Sequence, residues 1–426
     1  MPVDDPIAAL LAGTYPDPET GAPLAAEARA IAIEDTLDGA EQELIAALGL
    51  GHRLALVSDV DTHAALGARV ARALAPRFAV QEVILDRAPH ADTATLARLT
   101  AALDPATDAV IAIGSGTLND LSKLAALALG RPQLVFATAP SMNGYTSLSA
   151  SLTQDGVKRS IRAATPVAAF FDLGVLAAAP ARLIRAGLGD SLCRPTAQAD
   201  WLLAHLLLDQ PYRAAPFALL AADEAALFAR APGLVTGDRV ALRHLARTLV
   251  LSGFGMTLCG GSYPASQGEH LISHYLDMMR PAAVPDALHG EQIGVCTLVM
   301  AALQASILAL PSPRVRPSQI TRDAILAHFG PALGAQCWLE LAPKLLTPAR
   351  ADALNARLAT HWPTLRAALA AVTLPAPQLS SILASTGAPL TPTDLSWPDP
   401  AFASAVTHAR AIRNRFTFLD LAADLA

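Results

Sequence analysis

Over residues 1–175 the chain alternates short β-branched runs with Ala/Leu-rich helical patterns, and no other feature constrains its fold as much. Arg53–Val57, Ala79–Leu85, Ala109–Ile113, Gln133–Ala137 and Val167–Phe171 read as strands. Thr62–Leu74, a segment near Thr93–Leu103, and Thr117 to about Leu129 read as helices between them. Strands separated by helices need crossover connections, which make the sheet parallel and cover both its faces. From about Pro180 to Leu425 the strand signal stops and Ala, Leu and Arg recur with helical periodicity. The pattern predicts an α/β domain over residues 1–176 and an all-α domain over 177–426. The Pro-rich stretch Leu374–Pro400 reads as loop around a short helix, Gln378–Leu383, inside the second domain.

Composition narrows the class. The chain has 426 residues, which at roughly 150 per domain fits two to three domains. Apolar residues make up 53% and charged residues 16%, against a usual charged share of roughly 25%. Such a chain buries a large core, which excludes disorder as its main state. The net charge is −6 and no basic block occurs, which argues against a nucleic-acid partner. Mean hydropathy is positive, but the long apolar stretches Ala163–Leu183 and Gly294–Leu310 are interrupted by Asp172 and Gln304. Neither is the clean apolar run of about 20 residues that a membrane span needs. The start, MPVDDPIAALLAG, lacks the basic residues that open a signal peptide. Cys193, Cys259, Cys296 and Cys337 lie far apart with no CxxC pair, against a disulfide framework or a cysteine zinc site. These features describe a cytoplasmic α/β protein.

The segment AVIAIGSGTLNDLSKLAA joins a buried strand to a helix through Gly114, Ser115 and Gly116. Glycines let backbone approach a phosphate closely, and the helix start aims free N–H groups at it. A tight strand-to-helix turn with no ligand explains the same residues equally well, and Asn119 stands where a GxGxxG fingerprint has its third glycine. A second segment, Thr138-Ala139-Pro140-Ser141-Met142-Asn143-Gly144-Tyr145-Thr146-Ser147, follows the next strand. Its hydroxyls fall at the carboxyl edge of the sheet, where open α/β sheets bind ligands. Asp59, closing the strand LALVSD, suits a ribose hydroxyl and disfavours a 2′-phosphate; it serves equally as the N-cap of the next helix.

His270 and His274, at i and i+4, share one helix face, and His289 follows in LHGEQIG. Asp190 lies in RAGLGDSLCR. One carboxylate and two histidines leave open positions on Zn²⁺, Fe²⁺ or Ni²⁺, as a Lewis-acid site requires. Taken singly, each histidine also reads as an ordinary hydrogen-bonded residue.

Together GSGTLNDLSKLAA, TAPSMNGYTS, AGLGDSLCR, ASQGEHLISHYLD, HGEQIGV and Arg413–Leu419 (RNRFTFL) resemble the sn-glycerol-1-phosphate dehydrogenase family, its bacterial branch most closely. That family sits within the iron-containing alcohol dehydrogenase and dehydroquinate synthase-like group. The resemblance implies a dehydroquinate synthase-like fold, with a nucleotide-binding α/β domain, a helical domain and an active site between them. It places metal ligands on Asp190, His270 and His289, and substrate contacts on Asp190, Asn143 and His274, with Asp190 and His274 catalytic. It places NAD(H) or NADP(H) on Asp59, on Gly114, Ser115, Gly116, Thr117, Leu118, Asn119 and Asp120, on Thr138, Ala139, Pro140 and Ser141, and on Ser147. The implied reaction interconverts dihydroxyacetone phosphate and sn-glycerol 1-phosphate, in a homodimer.

One position departs from the family. Its motif reads Ser-x-Asp-Gly, and here the Asp position holds Asn143. Asn keeps the hydrogen-bonding reach but not the charge, so another polyol or alcohol stands as the alternative substrate. For the substrate's phosphate the sequence offers Lys158, Arg159, Arg162 and Arg194, with a solvated surface role the better reading of Arg159 and Arg162.

Overall fold

The computed structural model describes residues 5–154, 157–281 and 283–426. Contacts divide the chain into two units, Met1–Ser191 with Ala214–Ser262, and Leu192–Arg213 with Tyr263–Ala426.

In the first unit β1 (Tyr15–Pro16) and β2 (Pro23–Leu24) form a short antiparallel ladder. The strands β3 (Ala30–Glu34), β4 (Arg53–Asp59), β5 (Ala79–Leu85), β6 (Ala109–Gly114) and β7 (Gln133–Ala137) follow. After them come the hairpin β8 (Ser149–Gln154) and β9 (Val157–Arg162), then β10 (Ala168–Asp172). Six strands make one parallel sheet in the order β3-β10-β7-β6-β4-β5. Alternation along each strand sends side chains to two separate cores. Leu54, Leu56, Ile111, Ile113, Phe136 and Phe170 pack on one face. Ala55, Val57 and Val110 pack on the other against Leu99, Leu121 and Leu124 of the covering helices.

All five expected strands are present, each within two residues of its expected bounds. Two features lie outside the expectation. The edge strand β3 holds only two β-branched residues, Ile31 and Ile33, too few to stand out. The antiparallel β8–β9 ladder is built mainly from Ser, Thr, Lys and Arg, and its few apolar residues, among them Ala150, Leu152 and Ile161, pack against one of the sheet's cores.

The single boundary expected near Ala177 is not where the contacts divide. Helices Ala215–Ala229 and Arg239–Leu258, and nearly all of Ala181–Leu192, belong to the sheet unit. Arg239 donates to the Asp35 carbonyl at 3.2 Å, and Arg243 donates to that of Ile33. Gly253 lets the same helix press on the 143–147 loop, since a Cβ there would stand 2.1 Å from Thr146 Oγ1. Helical periodicity identifies a helix but not the core it joins.

The second unit is helical among its described residues, apart from one isolated bridge, Val315 to Leu425. Leu203, Ile272, Leu276, Met300, Trp362 and Phe418 fill its core. The His289–Leu308 helix has the length and apolarity of a membrane span, yet 61% of its most apolar stretch is buried inside the protein. Gln304, one turn before its end, donates to the Thr196 carbonyl at 2.9 Å. The helix expected at Gln378–Leu383 is found at Ala376–Ala384.

Candidate active-site elements

The sheet order places a switch point between β4 and β6, since the chain runs from β4 outward to β5 and then returns to β4's other side. Crevices outside the carboxyl ends of such strands bind ligands. Asp59 closes β4 and Gly114 closes β6. Asp59 is nearly buried, and Oδ1 accepts the Thr62 N–H at 2.7 Å, so the capping reading of this carboxylate holds.

The Gly116–Leu129 helix starts one residue before the sequence expectation. Asn119 already donates its N–H to the Ser115 carbonyl at 2.9 Å. The helix's unspent N–H groups are therefore those of Gly116, Thr117 and Leu118. The Leu118 side chain turns inward beneath Gly114, where a Cβ would stand 2.4 Å from Leu118 Cδ1. Asn119 is fully buried, and Asp120 Oδ2 accepts the Ser151 N–H at 2.9 Å. These three side chains hold the turn in place, while Ser115, Gly116 and Thr117 are half-buried.

The 138–147 loop is fixed from below. Thr138 N donates to the Gly114 carbonyl at 3.1 Å, and the Tyr145 hydroxyl donates to the Ala139 carbonyl. Thr138, Ala139, Pro140 and Ser141 are all buried or nearly so. Lys123 is the residue that sequence reasoning missed here. It is enclosed in the protein, and Nζ donates to the carbonyls of Gly144 at 2.6 Å, Ser147 at 3.0 Å and Ser149 at 3.1 Å. Burial brings the ammonium down to about 8, against a smaller upward pull from Asp120. The Ser147 hydroxyl belongs to the same network, donating toward the Gly144 carbonyl at 3.2 Å and the Ser149 carbonyl at 3.1 Å. A lysine within the repeat LSKLAALAL gives no sequence sign of burial.

Asp190 is buried, and its Oδ2 accepts the Asn143 N–H at 2.8 Å. That bond joins the RAGLGDSLCR helix to the loop that resembles the family's substrate motif. Of the cationic candidates in this unit, Arg159 and Arg162 are exposed, and the Lys158 side chain lies outside the described residues.

In the helical unit His270 and His274 stand one turn apart on the Gly268–Met278 helix, their ring centroids 5.9 Å apart. His289 opens the next helix, and its ring lies 5.1 Å from that of His270 and 6.0 Å from that of His274. Gln292 sets this spacing: Oε1 accepts from Ser273 Oγ at 2.7 Å, and Nε2 donates to Asp277 Oδ1 at 2.9 Å. His270 Nδ1 lies 2.9 Å from Oε1 of the fully buried Glu269, which also accepts the Gln267 N–H at 2.8 Å. A carboxylate there holds the proton on Nδ1 and turns Nε2 toward a ligand position. Cys193 is also close: one ligand atom each from Cys193, Glu269 and His270 falls within 4.8 Å of the others. Asp200 anchors the helix that carries the histidines, accepting the Gly268 N–H at 2.9 Å and the Phe418 N–H at 2.9 Å. Burial and the Glu269 carboxylate push its carboxyl up to about 8.

His274 is oriented from behind. Arg413 Nη2 lies 3.1 Å from His274 Nδ1. Arginine only donates, so Nδ1 accepts and a neutral His274 carries its proton on Nε2. Arg194, another candidate cation, is engaged with Gln198 Oε1 at 2.9 Å. The imidazole pair and its carboxylate orienter fit a divalent ion that takes nitrogen ligands.

A family profile described as iron-containing alcohol dehydrogenase matches residues 32–180. A protein named glycerol-1-phosphate dehydrogenase, NAD(P)+, from Halalkalibacterium halodurans is 34% identical over 262 residues, 60% of this chain and 65% of that protein. The match thus spans slightly under two thirds of that relative. A protein of the same name from Bacillus velezensis is 35% identical over 280 residues, 63% of this chain and 71% of its own length. The crystal structure of glycerol dehydrogenase from Schizosaccharomyces pombe superposes with a TM-score of 0.62 at 14% identity, covering 93% of this chain and 87% of that one. That likeness concerns the fold, in which a parallel sheet is followed by a largely helical part. Matched over more than two thirds of the Bacillus protein at this identity, the chain belongs to the glycerol-1-phosphate dehydrogenase family, within the iron-containing alcohol dehydrogenases.

Proposed function

We propose that the protein is a metal-dependent, NAD(P)H-linked oxidoreductase that interconverts dihydroxyacetone phosphate and sn-glycerol 1-phosphate. The observation that carries this reading is the pair His270 and His289, 5.1 Å apart, with Glu269 holding His270 Nδ1. Asp190, His270 and His289 would hold one Zn²⁺, Ni²⁺ or Fe²⁺ ion. Bound there, such an ion supplies a Lewis acid for the substrate's carbonyl oxygen, while the nicotinamide supplies the hydride.

The chain's own residues do the rest. The N–H groups of Gly116, Thr117 and Leu118 cradle the dinucleotide's phosphates, with Asp59 at the ribose and the Thr138–Ser141 and Ser147 segment along the nicotinamide side. His274, with its proton on Nε2, hydrogen-bonds a substrate oxygen. Asn143 binds a substrate hydroxyl through its amide, while Asp190 holds its backbone N–H. The same reading makes the protein a cytoplasmic homodimer.

The test is NADH or NADPH oxidation with dihydroxyacetone phosphate by chelator-stripped protein, before and after adding each ion. Metal-dependent turnover is expected. No turnover with any ion, in protein that still binds NADH, overturns the reading. Asn143 favours one second reading, a dehydrogenase of another polyol. Turnover of glycerol or a small diol without turnover of dihydroxyacetone phosphate would put that reading first.

A further inference from the structure

Arg413 brings a guanidinium group beside His274 of the helical unit, and the charge of Arg413 acts in turn on Arg415. Arg413 Nη2 is spent on His274 Nδ1 at 3.1 Å, which uses one of the five N–H donors of a guanidinium and none of its charge. Arg415 lies with its guanidinium 4.8 Å from the centre of the Tyr263 ring and donates to the Ser266 carbonyl. The carboxylate that acts on both is Glu340, which is itself exposed and accepts the Asn414 N–H at 2.7 Å; Glu269 also acts on Arg415. Neither arginine is exposed on the surface, and neither is wholly closed off from solvent. Burial lowers the pKa of both, and the charge of Arg413 helps bring Arg415 down to about 9. Two cations held together at this cost in a half-open position favour an anion between or beside them.

We propose that Arg413, reinforced by Arg415, forms the anion subsite that takes the phosphate of the substrate. This rests on the proposed reaction, because His274 is read there as a substrate contact. The geometry separates two duties of one side chain. Nη2 fixes the His274 tautomer, and the remaining donors of the planar fork suit phosphate oxygens. The subsite requires a substrate that spans from His274 Nε2, on one side of the ring, to the Arg413 fork at Nδ1 on the other. Of the cations the sequence offered for this phosphate, Arg159 and Arg162 are exposed and Arg194 is engaged with Gln198.

The discriminating variants are Arg413→Gln, which keeps an N–H donor for His274 Nδ1 but loses the charge, and Arg413→Lys, which keeps the charge. The readouts are the ratio of kcat/KM for dihydroxyacetone phosphate over dihydroxyacetone, and the Kd of inorganic phosphate for chelated protein by calorimetry. Arg413→Gln should lower the substrate ratio by about 100-fold, chiefly through KM, with Arg413→Lys recovering part of it. Phosphate binding should weaken at least about 10-fold in Arg413→Gln. An unchanged ratio with unchanged phosphate affinity overturns the subsite while leaving the proposed reaction standing. Equal losses on both substrates, with phosphate affinity unchanged, also overturn it and leave Arg413 a positioning residue for His274. Wild-type protein that binds phosphate through Arg413 but does not turn over dihydroxyacetone phosphate supports the subsite and overturns the reaction.

Discussion

Gly187 and Pro140 touch through bare backbone: a Cβ on Gly187 would stand 1.7 Å from the Pro140 carbonyl oxygen. This close approach puts Asp190, one turn along the same helix, beneath the Asn143 N–H. No side chain fits in that gap, so Gly187→Ala must push the helix off the loop. The expected cost is about 3 kcal/mol or more, the upper range of overpacking. Because the Asp190–Asn143 bond moves with the helix, metal affinity should fall as well. Urea unfolding and a metal-binding titration on the purified variant check both; a variant as stable as wild type would show that the contact is soft.

Lys123 gives a prediction with a pH signature. Replacing it with Met leaves the carbonyls of Gly144, Ser147 and Ser149 without their shared donor, at a net cost of about 1–3 kcal/mol at pH 7. The sign of the pH term follows from the lowered pKa. Above about 8 the folded protein has shed a proton that the unfolded chain keeps up to 10.5. The stability due to this group therefore rises with pH across that window, by about 3 kcal/mol. The gap between wild type and Lys123→Met should widen by that amount, as read from denaturant unfolding at pH 7.5 and at pH 10. A constant gap would mean that Lys123 titrates normally.

Glu269 should tune the metal through His270 without being a proposed ligand. Glu269→Gln retains the shape and removes the charge that holds His270 Nδ1 in place. Affinity for the divalent ion should drop about 10- to 100-fold, measured by competition with a chelator of known strength. Chelation should also lower the Tm of the wild-type protein, since an ion bound only by the folded state stabilises it. Wild-type affinity in Glu269→Gln would remove this carboxylate from the account.

His328 and His408 are stacked with centroids 3.7 Å apart and an interplanar angle of 11°, and the Tyr275 hydroxyl lies 2.7 Å from His328 Nε2. Ser404 Oγ lies 3.1 Å from that hydroxyl. Burial, and secondarily His408, lowers the His328 pKa below its usual 6.5. As pH falls from 6.5 toward that lowered value, the unfolded chain takes a proton that the folded one resists, and stability is lost. Tyr275 lies on the same helix as His270 and His274. His408→Phe preserves the stack and removes the imidazole that acts on His328. Its Tm should decline less than that of wild type between pH 7 and pH 5, and parallel declines would show that the pair is not the source.

The sequence by itself determined five of the sheet's six strands, the two glycine- and hydroxyl-rich loops at their carboxyl ends, and the histidine face on one helix. These are local facts. A period of two or 3.6, a Gly-Ser-Gly turn after a buried strand, or an i, i+4 pair is complete within a dozen residues. Tertiary structure decided what depends on which distant atom fills a given space. Lys123, Glu269 and Asp200 are ionisable residues buried by backbone and side chains far along the chain, and no local pattern distinguishes them from solvated ones. The helices Ala215–Ala229 and Arg239–Leu258 look like the helices after them, yet they join the sheet unit, the second through contacts with residues 33–35 and 146 and the first by packing on the second. Arg413 was visible as part of RNRFTFL, but its placement against His274 Nδ1 spans 139 residues of chain and exists only once the helices pack.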